Sequence, residues 1–178
     1  MPKRLIFVRG PMGVGKTAVC GELMKLLQPA AWLDGDWCWR MEPFVVNDET
    51  KRMALDNMGD VLRRFLRCSV YETVLFSWVM PDAAIVREVL SRLSGEAFAL
   101  RLFTLTAGES ALEERLRGDI RAGMRTSDVL ARSLAYLPRY GAPGGDTLDT
   151  TRLTAIQTAK IIAERLKTSP QGNFLENF

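Results

Sequence analysis

The chain has 178 residues, 47% hydrophobic and 25% charged, which suits one domain with a substantial core. A net charge of +3 argues against a nucleic-acid partner, and no apolar run approaches membrane-spanning length. With no histidine, His-based triads and His-containing metal sites are excluded, and the widely spaced Cys20, Cys38 and Cys68 read as reduced thiols. The N-terminus runs straight into the first apolar stretch, so a cytoplasmic location is expected.

Arg4 to Val8 is a short apolar run suited to a buried strand. Gly-Pro-Met-Gly-Val-Gly-Lys-Thr at 10–17 then fits the phosphate-loop pattern G-x-x-x-x-G-K-[ST]. Gly10, Gly13 and Gly15 let the backbone turn tightly and aim N–H groups, that of Val14 included, at a polyphosphate. Lys16 is expected to reach the β- and γ-phosphates, and the Thr17 hydroxyl to bind Mg²⁺. Thr17 to Gln28 follows as a helix with Val19, Leu23, Leu26 and Leu27 at helical spacing.

Ala30 to Asp34 reads as a second strand, 35–49 as a loop and Glu49 to Cys68 as a helix. Glu72 to Met80 is a third strand, and Pro81-Asp82 opens a helix that Gly95 stops. Ala97 to Leu105 is a fourth strand, followed by helices at Glu109 to about Ala122 and Ser127 to Tyr136. Residues 138–145 form a loop, 146–149 a last strand, 154–167 a last helix and 169–178 a mobile tail. Strands alternating with helices predict a parallel α/β sheet covered on both faces, with ligands beyond the carboxyl ends of the strands.

Four strand exits carry candidate chemistry. The first is the phosphate loop. The second is Asp34-Gly35-Asp36, with Asp34 placed to help hold Mg²⁺ and Asp36 to accept or orient the proton of an attacking hydroxyl. The third, Ser77-Trp78-Val79-Met80, lacks the acid that many phosphate-loop nucleotide hydrolases place there. That moves the metal role to Asp34 and argues against a motor-type ATPase. The fourth is the cluster Arg115, Arg117, Arg121 and Arg125, in which Arg117 fits a surface pair with Glu113.

The phosphate loop, one helix, one strand and then Leu33-Asp34-Gly35-Asp36 resemble gluconate and adenylylsulfate kinases, and shikimate kinases show a similar Asp-x-Asp. All belong to the nucleoside-monophosphate-kinase-like group of small P-loop phosphotransferases. The resemblance spans residues 4–168 in element order. It implies a three-layer P-loop fold with a five-stranded parallel sheet, order 2-3-1-4-5, and a helical lid. The implied division is one domain over 1–168, with an acceptor region at about 36–68 and a lid at about 117–127. It implies ATP with Mg²⁺, a small-molecule acceptor, and Asp36 at the acceptor hydroxyl. Leu112-Glu113-Glu114-Arg115-Leu116 matches the group's pre-lid helix, making Arg115 the adenine-packing candidate. Arg121 and Arg125, flanking Gly123, are the candidates for closing on the γ-phosphate, with Arg139 a further one. Asp119 stands where the group often has a second arginine.

After the Asp-Gly-Asp the match ends, because Trp37-Cys38-Trp39-Arg40 replaces the group's His, Asn and Arg residues. Neither gluconate nor adenylylsulfate carries over. Trp37, Arg40 and Trp78 are candidate acceptor contacts, with Trp39, Phe44 and Arg52 nearby in sequence. The leading expectation is an ATP-dependent kinase of a small hydroxyl-bearing molecule, monomeric or homodimeric. The alternatives are a nucleoside monophosphate kinase, a polynucleotide 5′ kinase, or a non-catalytic nucleotide-binding regulatory protein. No guanine signature of the Asn/Thr-Lys-x-Asp type is present.

Overall fold

The computed structural model describes residues 2–141 and 145–168. The sheet holds β1 (Lys3–Arg9), β2 (Ala30–Asp34), β3 (Thr73–Trp78), β4 (Phe98–Thr106) and β5 (Asp146–Asp149). Every pairing is parallel, in the order β2-β3-β1-β4-β5. Six helices cover it: α1 (Lys16–Leu26), α2 (Asp48–Arg67), α3 (Ala83–Ser91), α4 (Glu109–Arg121), α5 (Asp128–Tyr136) and α6 (Ala155–Thr168). This is the expected three-layer P-loop kinase fold.

The period-2 alternation of the strands divides the interior in two. Ile6 and Val8 of β1, with Leu75 and Phe103, meet α1, α4, α5 and α6. Leu5 and Phe7, one residue out of phase, meet α2 and α3 together with Phe76 and Leu102. The phosphate-loop helix therefore packs on one face, and α2, the helix within the expected acceptor region, packs with α3 on the other.

The stretch 35–49, expected as a loop, contains a 3₁₀ helix at Gly35–Trp39. It forms because Asp34 Oδ1 accepts a hydrogen bond from the Asp36 N–H, a local side-chain cap at the strand exit. The 137–141 part of the later loop is likewise a 3₁₀ turn, Leu137–Gly141. The expected tail at 169–178 lies outside the described residues.

Candidate active site

The phosphate loop joins the central strand β1 to the start of α1. Gly13 has φ 81°, and a Cβ there would stand 2.7 Å from the Leu116 side chain of α4. Glycine is needed for both the backbone and the close approach. Gly10 and Gly15 also have positive φ. Val14 buries its side chain in the first core. Its carbonyl accepts from Thr150 Oγ1 at 3.3 Å, and its N–H donates to the Pro11 carbonyl at 3.4 Å. From α5, Ser133 Oγ donates to the Met12 carbonyl at 2.8 Å and pins the tip of the loop.

Lys16 Nζ lies in the loop, donating to the carbonyls of Gly10 and Pro11 at 2.8 Å each. The residue keeps some exposure, but its ammonium is enclosed. Desolvation is the largest influence and brings its pKa down to about 8. Asp36 and then Asp34 oppose that shift, while Arg125 adds to it.

Thr17 Oγ1 donates to Asp34 Oδ2 at 2.9 Å. Asp34 is buried at the end of β2, with one oxygen on Thr17 and the other on the Asp36 N–H. The two candidate metal residues thus adjoin beside the loop. Both offer hard oxygen donors suited to Mg²⁺, which takes only one or two protein ligands and completes its shell with phosphates and water. Among the described residues no group of three or more His, Cys, Asp or Glu forms a separate metal site.

Asp36 is exposed to solvent, yet the protein mass around it raises its pKa. Desolvation is the main cause and the Asp34 charge the second; Lys16, Arg125 and a hydrogen bond with Trp78 pull the other way. The carboxylate is therefore electrostatically joined to both the phosphate-loop lysine and Arg125.

The arginines are distributed unevenly. Arg115 bridges the loop to the β5 exit. It donates to the Thr150 carbonyl at 2.7 Å, to Thr150 Oγ1 at 3.2 Å and to the Val14 carbonyl at 3.5 Å. Arg125 is held by Asp119 at 3.0 Å while still contributing to the potential at Lys16 and Asp36. Arg121 is exposed at the end of α4, with no ion-pair partner among the described residues. Arg117 pairs with Glu113 on the surface, as expected. Arg139 is drawn to Asp82, its Nε 3.1 Å from Oδ1. This contact occupies the Asp82 carboxylate, which makes no cap bond to α3.

On the acceptor side Trp39 stacks on Trp78, with centroids 6.5 Å apart and planes at 23°. The Trp78 ring also lies on Gly35, where a Cβ would stand 2.6 Å from its Cγ. Trp39 and Trp78 join Leu55, Ile85, Tyr136 and Val46 in lining a cavity of about 270 Å³. Trp37 goes elsewhere: it is half exposed and packs on Trp32, at 5.5 Å. Arg40 and Arg52 are exposed and do not line the cavity. Ser77 is buried, accepting from Trp32 Nε1 at 3.0 Å.

Sequence reasoning passed over Arg9, at the end of β1. Its side chain is buried, and Nε donates to Thr104 Oγ1 at 2.8 Å. Burial lowers its pKa, against the raising influence of Tyr140 and Asp82. The usable signal was alternation, which sets Arg9 on the same face as Leu5 and Phe7. Also unforeseen was the corner at Met80. This buried residue has φ 36°, and the preceding Val79 carbonyl accepts from the Tyr140 hydroxyl at 2.7 Å.

Residues 6–131 match the AAA domain family AAA_18, a P-loop family, and the chain belongs to it. Among solved structures it is similar to the tunicamycin resistance protein of Deinococcus radiodurans, with 24% identity and TM-score 0.67 over 94% of this chain and 97% of that one. A gluconokinase from Sinorhizobium meliloti is similar at 21% identity and TM-score 0.61, covering 93% and 96%. A shikimate kinase from Acinetobacter baumannii is similar at 20% identity and TM-score 0.62, covering 93% of each. These likenesses are of fold. No curated protein matches the chain. No helix among the described residues is long and apolar enough to cross a membrane.

Proposed function

We propose that the protein is an ATP-dependent phosphotransferase that moves the γ-phosphate to a hydroxyl of a small molecule. The observation that carries this reading is the 2.9 Å contact of Thr17 with Asp34, two residues before an Asp36 coupled to Lys16. Mg²⁺, held by Thr17 and Asp34, would neutralise charge on the phosphate oxygens. Lys16 would exchange its two loop carbonyls for the β- and γ-oxygens, and the loop N–H groups from Gly10 to Gly15 would orient them. Arg115 would sit at the adenine side, while Arg121 and Arg125 would close from the lid onto transferred charge. Asp36 would orient the acceptor hydroxyl and take its proton as the new O–P bond forms and ADP leaves. Its raised pKa makes it a better proton acceptor than an ordinary aspartate.

A nucleotide acceptor would require cations along the acceptor cavity. Its walls are aromatic and aliphatic, with one lysine and one glutamate, which favours a hydroxyl acceptor without a phosphate. The reading includes a single domain over 1–168 and a cytoplasmic location. The test is transfer from γ-labelled ATP·Mg²⁺ to a panel of sugars, nucleosides, nucleotides and aminoglycoside-like alcohols. Acceptor-dependent ADP release with a labelled alcohol product is expected. Labelling of nucleotides alone moves the assignment to a nucleotide kinase. Nucleotide binding with no acceptor-dependent turnover favours the regulatory reading.

A further inference from the structure

The acceptor-side cavity has a chemistry of its own. Its walls are Trp39, Val46, Leu55, Trp78, Ile85 and Tyr136, drawn from the 3₁₀ turn and its following strap, α2, the β3 exit, α3 and α5. Among the described residues the charged ones in its lining are Lys51 and Glu88, both exposed and opposite in sign. Lys51 is paired with Asp48 and Arg139 with Asp82, and Arg40 and Arg52 do not line the cavity. An anionic group entering this space would lose water without gaining a dedicated cation, a heavy desolvation cost.

A second observation points the same way. Phe44, Val45 and Val46 are 63%, 42% and 55% exposed. Three consecutive apolar residues left in water are unusual unless something uses them. Phe44 faces Trp39 at 6.5 Å, and Val46 lines the cavity, so the exposed run borders its mouth. Trp78 links this space to the chemistry, because the same indole forms the wall and lies on Gly35, the residue before Asp36.

We infer that this cavity takes an uncharged aryl or alkyl group of the acceptor, whose attached alcohol reaches Asp36. The inference deepens the transferase reading and rests on it for the alcohol's fate. At about 270 Å³ the space holds a single ring or short chain rather than a whole nucleotide, just below the roughly 300–1,000 Å³ usual for ligand pockets.

The experiment is calorimetry of the full chain with 3-phenylpropane-1,2-diol, and separately with shikimate and gluconate, with labelled transfer from ATP·Mg²⁺ measured on the same samples. The diol is expected to bind, and Val46→Trp, which fills the mouth from an exposed position, to weaken it roughly tenfold. Ile85→Trp narrows the cavity from the α3 side and is expected to act in the same direction, with thermal melting as the check on folding. No diol binding, or diol binding unaffected by both variants, overturns the inference. Binding or transfer restricted to shikimate and gluconate also overturns it, while the transferase reading stands. Diol binding that the variants weaken, without transfer to any alcohol, upholds the cavity's ligand class and sinks the transferase reading instead.

Discussion

The two halves of the site are built by opposite means. On the nucleotide side the ligand-facing groups are main-chain N–H donors, one lysine and one hydroxyl, each fixed by short-range sequence. On the proposed acceptor side they are large side chains from five separated stretches, with Lys51 and Glu88 exposed among them. In the proposed reading the first arrangement would fix a phosphate by geometry, and the second would select by shape and by exclusion of charge. Common chemistry would then reside in a contiguous motif and specificity in scattered packing.

The contrast can be broken most severely at Lys16. Lys16→Ala is expected to abolish ATP turnover, measured as ADP release, because the β- and γ-phosphates lose their cation. Asp36→Asn is expected to cut transfer by about 10²–10⁴ while leaving ATP affinity by calorimetry nearly intact. Wild-type turnover in that variant removes Asp36 from the chemistry.

A pH series sharpens the link between the halves. Lys16 must be protonated to pair with phosphate, so ATP affinity of the free protein should hold at lower pH and fall as pH rises through about 8. The Asp36 carboxylate supports the lysine's charge. Asp36→Asn should therefore move that fall to lower pH, whereas an unmoved limb uncouples the two groups. The smallest effect is expected from Gly35→Ala. A Cβ forced against Trp78 should raise the acceptor KM and lower stability by about 1–3 kcal/mol, with ATP affinity unchanged. Melting and steady-state kinetics separate these outcomes.

Much of the frame was legible because it is written locally. β2 and β5 fall on the expected residues, and the other strands and α-helices differ only at their ends, where helices fray and capping decides the boundary. The phosphate loop and the Asp-Gly-Asp stand together at the sheet's mouth because strand exits converge there. What escaped depends on contacts distant in sequence. Nothing near Trp37 says that it packs on Trp32 while Trp39 packs on Trp78. The cavity joins Trp39 to Tyr136 across about a hundred residues, and Arg9 becomes notable only once Thr104 and Tyr140 fold around it. The pairing of Arg125 with Asp119 was also hidden, although the unusual acid at 119 marked the place.

The turn at Met80 carries a lesson about how such a protein could diversify. A side chain at φ 36° costs on the order of 1–2 kcal/mol, so the bend persists only under the clamp of its surroundings. Glycine would relax the bend but forfeit a fully enclosed thioether. The chain thus keeps a tensioned corner between Val79 and Pro81, both in the cavity wall, so relaxing it would reshape that wall while leaving the loop between β1 and α1 in place.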